Sequence, residues 1–201
     1  MVKYPKFLFL TYIIFSISFS VKSQNLKGGL FLGIIGSQID GLTFSGYNKL
    51  GFTAGLVVCE ELDYRWGFQC ELKYIMKGAA KLTTANDPSL YKLTLGYFEL
   101  PLLATLKTAK KIKFESGFAL GYLFNTKLNE GYGNEISTYP IKKTDISWIA
   151  GIYYLMNERI SFNLKFSYSI RPISNLAGNV TIWGTYGQYN NLFDLSVYYI
   201  L

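Results

Sequence analysis

The sequence predicts an all-β fold, an eight-stranded antiparallel up-and-down transmembrane β-barrel, on three observations. From Ile160 to Arg171 every even position is large and apolar (Ile160, Phe162, Leu164, Phe166, Tyr168, Ile170) and every odd one is polar (Ser161, Asn163, Lys165, Ser167, Ser169, Arg171). That period of two is a strand with one apolar and one polar face. Further segments repeat the pattern, and the connections between them alternate long and short, as in an outer-membrane barrel with tight turns on one rim and loops on the other. Charged or turn residues interrupt every later apolar run, so no segment after the N-terminus is long enough to span a bilayer as a helix.

The first 23 residues are set apart as a signal peptide. Lys3 and Lys6 form a basic start, Phe7 to Phe19 is an apolar run of 13 residues, and Val21-Lys22-Ser23 ends on a small residue before Gln24. The run falls short of the roughly 20 residues of a membrane-spanning helix. Residues 24–201 form the barrel domain. Without the leader, 17 basic face 13 acidic residues, so the formal charge falls from +7 to +4.

A first strand is expected at about 27–37. The second, 50–59, sets Phe52, Ala54, Leu56 and Val58 against Gly51, Thr53 and Gly55. The third, 66–77, sets Trp66, Phe68, Cys70, Leu72, Tyr74 and Met76 against Gly67, Gln69, Glu71, Lys73 and Lys77, with Ile75 the exception. In the fourth the apolar phase moves from Leu93, Leu95 and Tyr97 to Phe98, Leu100, Leu102, Ala104 and Leu106, which predicts a β-bulge near Gly96, and Pro101 should weaken local pairing. The fifth, 112–124, sixth, 144–154, seventh, 160–171, and eighth, about 188–201, alternate more evenly, and the last ends on Leu201. The connections are then 38–49, 60–65, 78–89, 108–111, 125–143, 155–159 and 172–187.

Volume decides which face is outside. The interior of an eight-stranded barrel has just enough room for its own side chains, so the bulky apolar face must meet lipid. The lumen then holds Glu71, Lys73, Glu99, Lys113, Glu115, Asp145, Asn163, Lys165, Arg171 and Asp194, with room left by glycines such as Gly51, Gly55, Gly117 and Gly121. Mixed signs in a narrow interior imply ion pairing. Trp66, Tyr154 and Tyr199 near the inner ends and Tyr74, Tyr122 and Trp148 nearer the outer ends suit interfacial girdles.

Several functional classes drop out. The chain has no histidine, which removes the usual general base and the ordinary His-metal arrangements. Glu60-Glu61-x-Asp63 lacks the spacing of an EF-hand and is a solvated turn beside Arg65. Asn179-Val180-Thr181 is a chance-level glycosylation triplet. Lys107, Lys110, Lys111 and Lys113 cluster at a turn without the aromatic interleaving of a nucleic-acid binder and are expected on a solvated or phospholipid-facing rim. Cys59 and Cys70 fall on opposite faces and are expected as free thiols. No catalytic, cofactor-binding or metal-binding residue is assigned.

Gly46-Tyr47-Asn48-Lys49-Leu50-Gly51-Phe52, then Glu71-Leu72-Lys73-Tyr74 with Lys77-Gly78, then Tyr97-Phe98-Glu99-Leu100-Pro101-Leu102 resemble successive blocks of the PorT-like outer-membrane β-barrel family of Gram-negative bacteria, over about residues 26–201. The resemblance implies a closed antiparallel barrel resident in the outer membrane, and one member of that family takes part in protein secretion. Leu201 departs from the usual aromatic end. The expected role is structural or interactive, with outer-membrane lipid around the barrel and a surface or secretion-complex protein at the loops 125–143 and 172–187. Their aromatics and those of the first loop (Phe44, Tyr47, Tyr132, Tyr139, Trp183, Tyr186, Tyr189) are candidate contacts or interfacial anchors. The alternative is transport of ions or small solutes through the lumen.

Overall fold

The computed structural model describes residues 26–43, 45–81, 90–130, 141–175 and 180–201. The expected leader lies outside them, as do Phe44, Tyr132, Tyr139 and Asn179. Eight strands follow one another: β1 (Leu26–Asp40), β2 (Lys49–Glu61), β3 (Trp66–Lys81), β4 (Tyr91–Ala109), β5 (Ile112–Glu130), β6 (Thr144–Leu155), β7 (Ile160–Ser169) and β8 (Tyr189–Ile200). Each pairs antiparallel with its sequence neighbours, and β1 closes on β8 from Gly29↔Ile200 to Asp40↔Tyr189, giving a sealed barrel in the order β1 to β8. Closure removes the open strand edge that a bilayer would leave unsatisfied.

The wall obeys the predicted alternation. Leu32, Ile34, Phe68, Leu72, Phe118, Leu164 and Leu195 point outward and stay exposed, while Glu71, Lys73, Glu99, Glu115 and Asp194 between them are buried. An exposed apolar surface running around the whole molecule far exceeds the patches of soluble proteins, and hydrocarbon is the solvent that removes its cost. An aromatic belt crosses the upper half of this wall. Phe52, Tyr74, Phe98 and Phe124 touch in succession with ring centroids 5.6, 5.7 and 5.5 Å apart, and Trp148, Phe166, Phe193 and Tyr47 with 6.4, 5.2 and 5.0 Å.

Short turns join β2–β3, β4–β5 and β6–β7 at the rim that also holds both ends of the described barrel. Two of them use one device. Asp63 accepts from the N–H groups of Arg65 and Trp66 (2.7 and 2.8 Å), and Asn157 accepts from those of Arg159 and Ile160 (2.9 and 2.7 Å). Side-chain carboxylates and amides close turns this way by mimicking a backbone carbonyl. The N–H groups of Trp66 and Arg65 hold the Asp63 carboxyl below its ordinary pKa.

β4 departs from expectation in an informative way. The register shift falls between Gly96 and Tyr97, where a bulge was predicted, but the residue left without a partner is Phe124 on β5. Leu93, Leu95, Tyr97 and Glu99 all point inward, so the change of apolar phase marks a change in what the lumen contains. Pro101 does interrupt pairing: the β3–β4 register runs from Cys70↔Leu102 directly to Lys73↔Glu99. Cys59 and Cys70 lie on adjacent strands facing opposite ways, both free.

Candidate functional site in the lumen and at its two mouths

Inward-facing polar residues assemble into one connected ionic core. In its lower part Lys165 of β7 lies 2.5 Å from Glu71 of β3 and 3.5 Å from Glu115 of β5. Lys165 also donates to the Tyr198 hydroxyl (2.7 Å), which donates to Glu71 (2.8 Å). Gln69 donates to Glu71 and to Tyr153 (both 2.7 Å), and Asn163 donates to Glu115 (2.7 Å). Gly151 stands in register between Glu115 and Lys165. A Cβ there would come within 2.5 Å of the Glu115 carboxylate and 3.0 Å of the Lys165 stem, so the absent side chain is what lets the pair reach across β6.

Higher up, Lys73 lies 3.6 Å from Glu99 and 4.0 Å from Asp194, whose carboxylate also accepts from the Ser196 hydroxyl. Lys77 lies 2.5 Å from Glu99 and 3.0 Å from Asp145, and Asn190 donates to Asp145 (2.9 Å). Charges removed from water in this way persist only when paired and hydrogen-bonded. Eight of the ten residues predicted for the lumen are buried there, and Lys113 is half-buried on the same face. Arg171 is not: β7 ends at Ser169, and Arg171 lies exposed beyond it. Lys77 joins the core although it was absent from the expected set. Its parity with Lys73 was the available signal.

Around and above Lys77 the lining changes character. Ile35, Ile39, Ile75, Ala79, Leu93, Leu95, Tyr97 and Leu192 pack inside the barrel with Ile173 from the β7–β8 loop, joined by Leu42, Tyr91, Leu123, Leu128 and Ile141. The upper lumen is therefore a hydrophobic core, and the expectation of an all-polar interior is corrected. Ile75, the exception to alternation in the third strand, is one of its central members, 1% exposed.

The two mouths differ as well. At the short-turn rim a cavity of about 790 Å³ opens beneath the ionic core, with Tyr153, Tyr198 and Gln69 at its floor. Lys107 and Lys113 line it as direct cross-strand partners on the inward parity, Lys113 half-buried in the lumen where it was expected and Lys107 exposed at the rim with Lys110 and Lys111. At the other mouth the β7–β8 loop folds down over the outside of the wall. Asp40 accepts from the Tyr168 hydroxyl (2.8 Å) and the Ile182 N–H (3.2 Å), Trp183 stands edge-on to Tyr168 (6.1 Å), and Tyr168 stacks on Tyr189 (5.9 Å). This leaves Ile182, Trp183 and Tyr186 exposed on the loop surface.

Known proteins match this architecture. The profile of the outer membrane protein beta-barrel domain family matches residues 13–175. Ail, the attachment invasion locus protein of Yersinia pestis, is similar in structure with a TM-score of 0.52 at 12% identity, over 89% of this chain and 100% of that one. Neisserial surface protein A gives 0.54 at 10% identity over 86% and 96%. Ail in complex with the heparin analogue sucrose octasulfate gives 0.50 at 11% identity over 89% and 100%. At such identities the likeness is one of fold. No curated protein sequence matches the chain. With a closed eight-stranded wall, a lipid-facing apolar exterior and a family match over most of its length, the chain belongs to the outer membrane protein beta-barrel domain family and is a small β-barrel of the outer membrane.

Proposed function

We propose that this barrel is a sealed structural or interaction component that works through its extracellular loops. The observation that carries the reading is the doubly filled lumen: an ionic core below and an apolar core above leave the loop surface as the variable, partner-facing part. The exposed Ile182, Trp183 and Tyr186 are held in place by Asp40, Tyr168 and Thr181, which suits a pre-ordered contact surface. Ail, of the same fold, has been crystallised with a heparin analogue, a precedent for ligand contact by a barrel this small.

The finer points belong to the same reading. Residues 1–23 serve as a cleaved export signal. The blocks shared with the PorT-like family favour a partner in a secretion-associated complex. The role is non-catalytic, since a chain without histidine lacks the commonest general base.

Transport is the second reading, and the open 790 Å³ cavity is what favours it. Two measurements on one preparation separate the readings. A photo-crosslinking residue at Ile182 or Tyr186 in intact cells should yield a discrete adduct, and proteoliposomes should show no solute-dependent swelling. Swelling without an adduct would overturn the proposal in favour of transport.

A further inference from the structure

The cavity at the short-turn rim carries an arrangement that stability alone does not favour. Lys107 and Lys113 are direct partners across β4–β5, both on the inward face, with Lys110 and Lys111 in the turn between them. Like charges placed directly opposite on one sheet face destabilise it. Among the described residues none of these four has a carboxylate within ion-pair distance, although Glu60, Glu61, Asp63 and Glu158 line the same cavity. Two of those acids are engaged elsewhere: Glu61 pairs with Lys27 (3.2 Å), and Asp63 is held by the N–H groups of its own turn. In all, seven cationic side chains face four acidic ones around the cavity.

The floor adds a second, independent feature. The Lys113 ammonium lies 4.1 Å from the centre of the Tyr153 ring, a cation–π contact that anchors it inside the cavity and away from the lipid interface. Behind it, the carboxylates of Glu71 and Glu115 are already engaged by Lys165, Gln69 and Asn163. Low-dielectric walls around an excess of one charge focus its field toward the opening. The volume lies within the roughly 300–1,000 Å³ of pockets that enclose small ligands.

We infer that this periplasmic vestibule is an anion-binding site whose ligand is an acidic peptide segment entering along the barrel axis. Axial entry favours a peptide over a phospholipid: the two opposed lysines face the lumen, and a headgroup would have to leave the bilayer and turn under the rim to meet them. Carboxylates spaced along an extended chain can meet Lys107, Lys110 and Lys113 at once. The inference is independent of the loop-based reading above, since it concerns the opposite mouth.

The test uses the folded protein in zwitterionic micelles with fluorescein-labelled hexaglutamate, followed by fluorescence anisotropy. Saturable one-to-one binding is expected at about 50 mM salt, weakened steeply by about 500 mM. Lys107→Glu and Lys113→Gln should each weaken it by about tenfold or more, whereas Lys92→Gln on the far rim should leave it unchanged. Lys107→Glu should also raise the unfolding temperature, because it converts a like-charged cross-strand pair into an opposite one. That readout shows that lost binding is not lost folding. Absent saturation at low salt, or undiminished binding in both variants, would overturn the site. Displacement of hexaglutamate by equimolar glycerophosphate would reassign it to a phosphate headgroup and overturn the peptide.

Discussion

The lower and upper halves of the lumen use the same geometry for opposite chemistry. Both are built from inward positions of the same strands. β3 alone contributes Glu71, Lys73 and Lys77 to the ionic core and Ile75 and Ala79 to the apolar one. The lower half is held by ion pairs and charge-assisted hydrogen bonds, which depend on each buried charge keeping a counter-ion, and the upper half by close packing, which depends on filled volume. The difference teaches that strand parity fixes where a side chain points, while its solvent is set by what the neighbouring strands bring to the same level.

The largest effect should come from breaking the ionic half. Lys165→Met leaves Glu71 and Glu115 buried without their cation and should cost about 3–5 kcal/mol, read as the urea midpoint of unfolding from micelles. Adding Glu71→Gln to Lys165→Met should recover part of that loss, since one uncompensated charge goes with it. Equal stability of single and double variants would remove the ion pair from the account.

Breaking the apolar half should cost slightly less and behave independently. Leu95→Ala, at a position fully buried in the upper core, should destabilise by about 2–5 kcal/mol. Combined with Lys165→Met the losses should add to within about 0.5 kcal/mol, because the two sites share no partner. Strong coupling would mean that the two halves form one cooperative network.

Phe166→Arg sharpens the contrast between lumen and wall. Phe166 lies on the outer, lipid-facing wall, where an arginine costs about 2–4 kcal/mol at the bilayer midplane and less toward an interface, so Phe166→Arg should destabilise the barrel and slow insertion into liposomes. Normal insertion would reverse the assignment of faces. The smallest effect belongs to the rim. The Asp63 carboxyl titrates below its unfolded value, so its contribution is present above the ordinary carboxylate range and lost as pH falls through the depressed folded value. Asp63→Asn should flatten that acid-side loss in a pH series of melting curves.

Much of this was legible in the sequence because a period of two survives wherever one face meets lipid. β6 and β7 begin at Thr144 and Ile160, where alternation begins, and the lysines and carboxylates of the ionic core follow from parity and volume. Legibility fails where both faces are apolar. Leu93, Leu95 and Tyr97 face a packed interior while Phe98 and Leu100 face lipid, and hydrophobicity cannot distinguish these two solvents. The same loss of contrast made a change of lining look like an inserted residue on β4, whereas the upper extensions of β1, β3 and β5 were hidden because their polar and small residues, among them Gln38, Asp40, Gly78, Asn125 and Lys127, read as loop. Lys113 followed from parity in the same way, whereas Lys107, though it shares the inward parity of Glu99 and Thr105, reads with the turn lysines Lys110 and Lys111 as part of the rim.

The claim on which the account rests is that the lumen is closed, and single-channel recording in a planar bilayer tests it most directly. The purified barrel is predicted to stay silent under applied voltage, with neither the ionic nor the apolar core passing ions. Steady conductance steps of uniform size, reproducible across preparations, would contradict it.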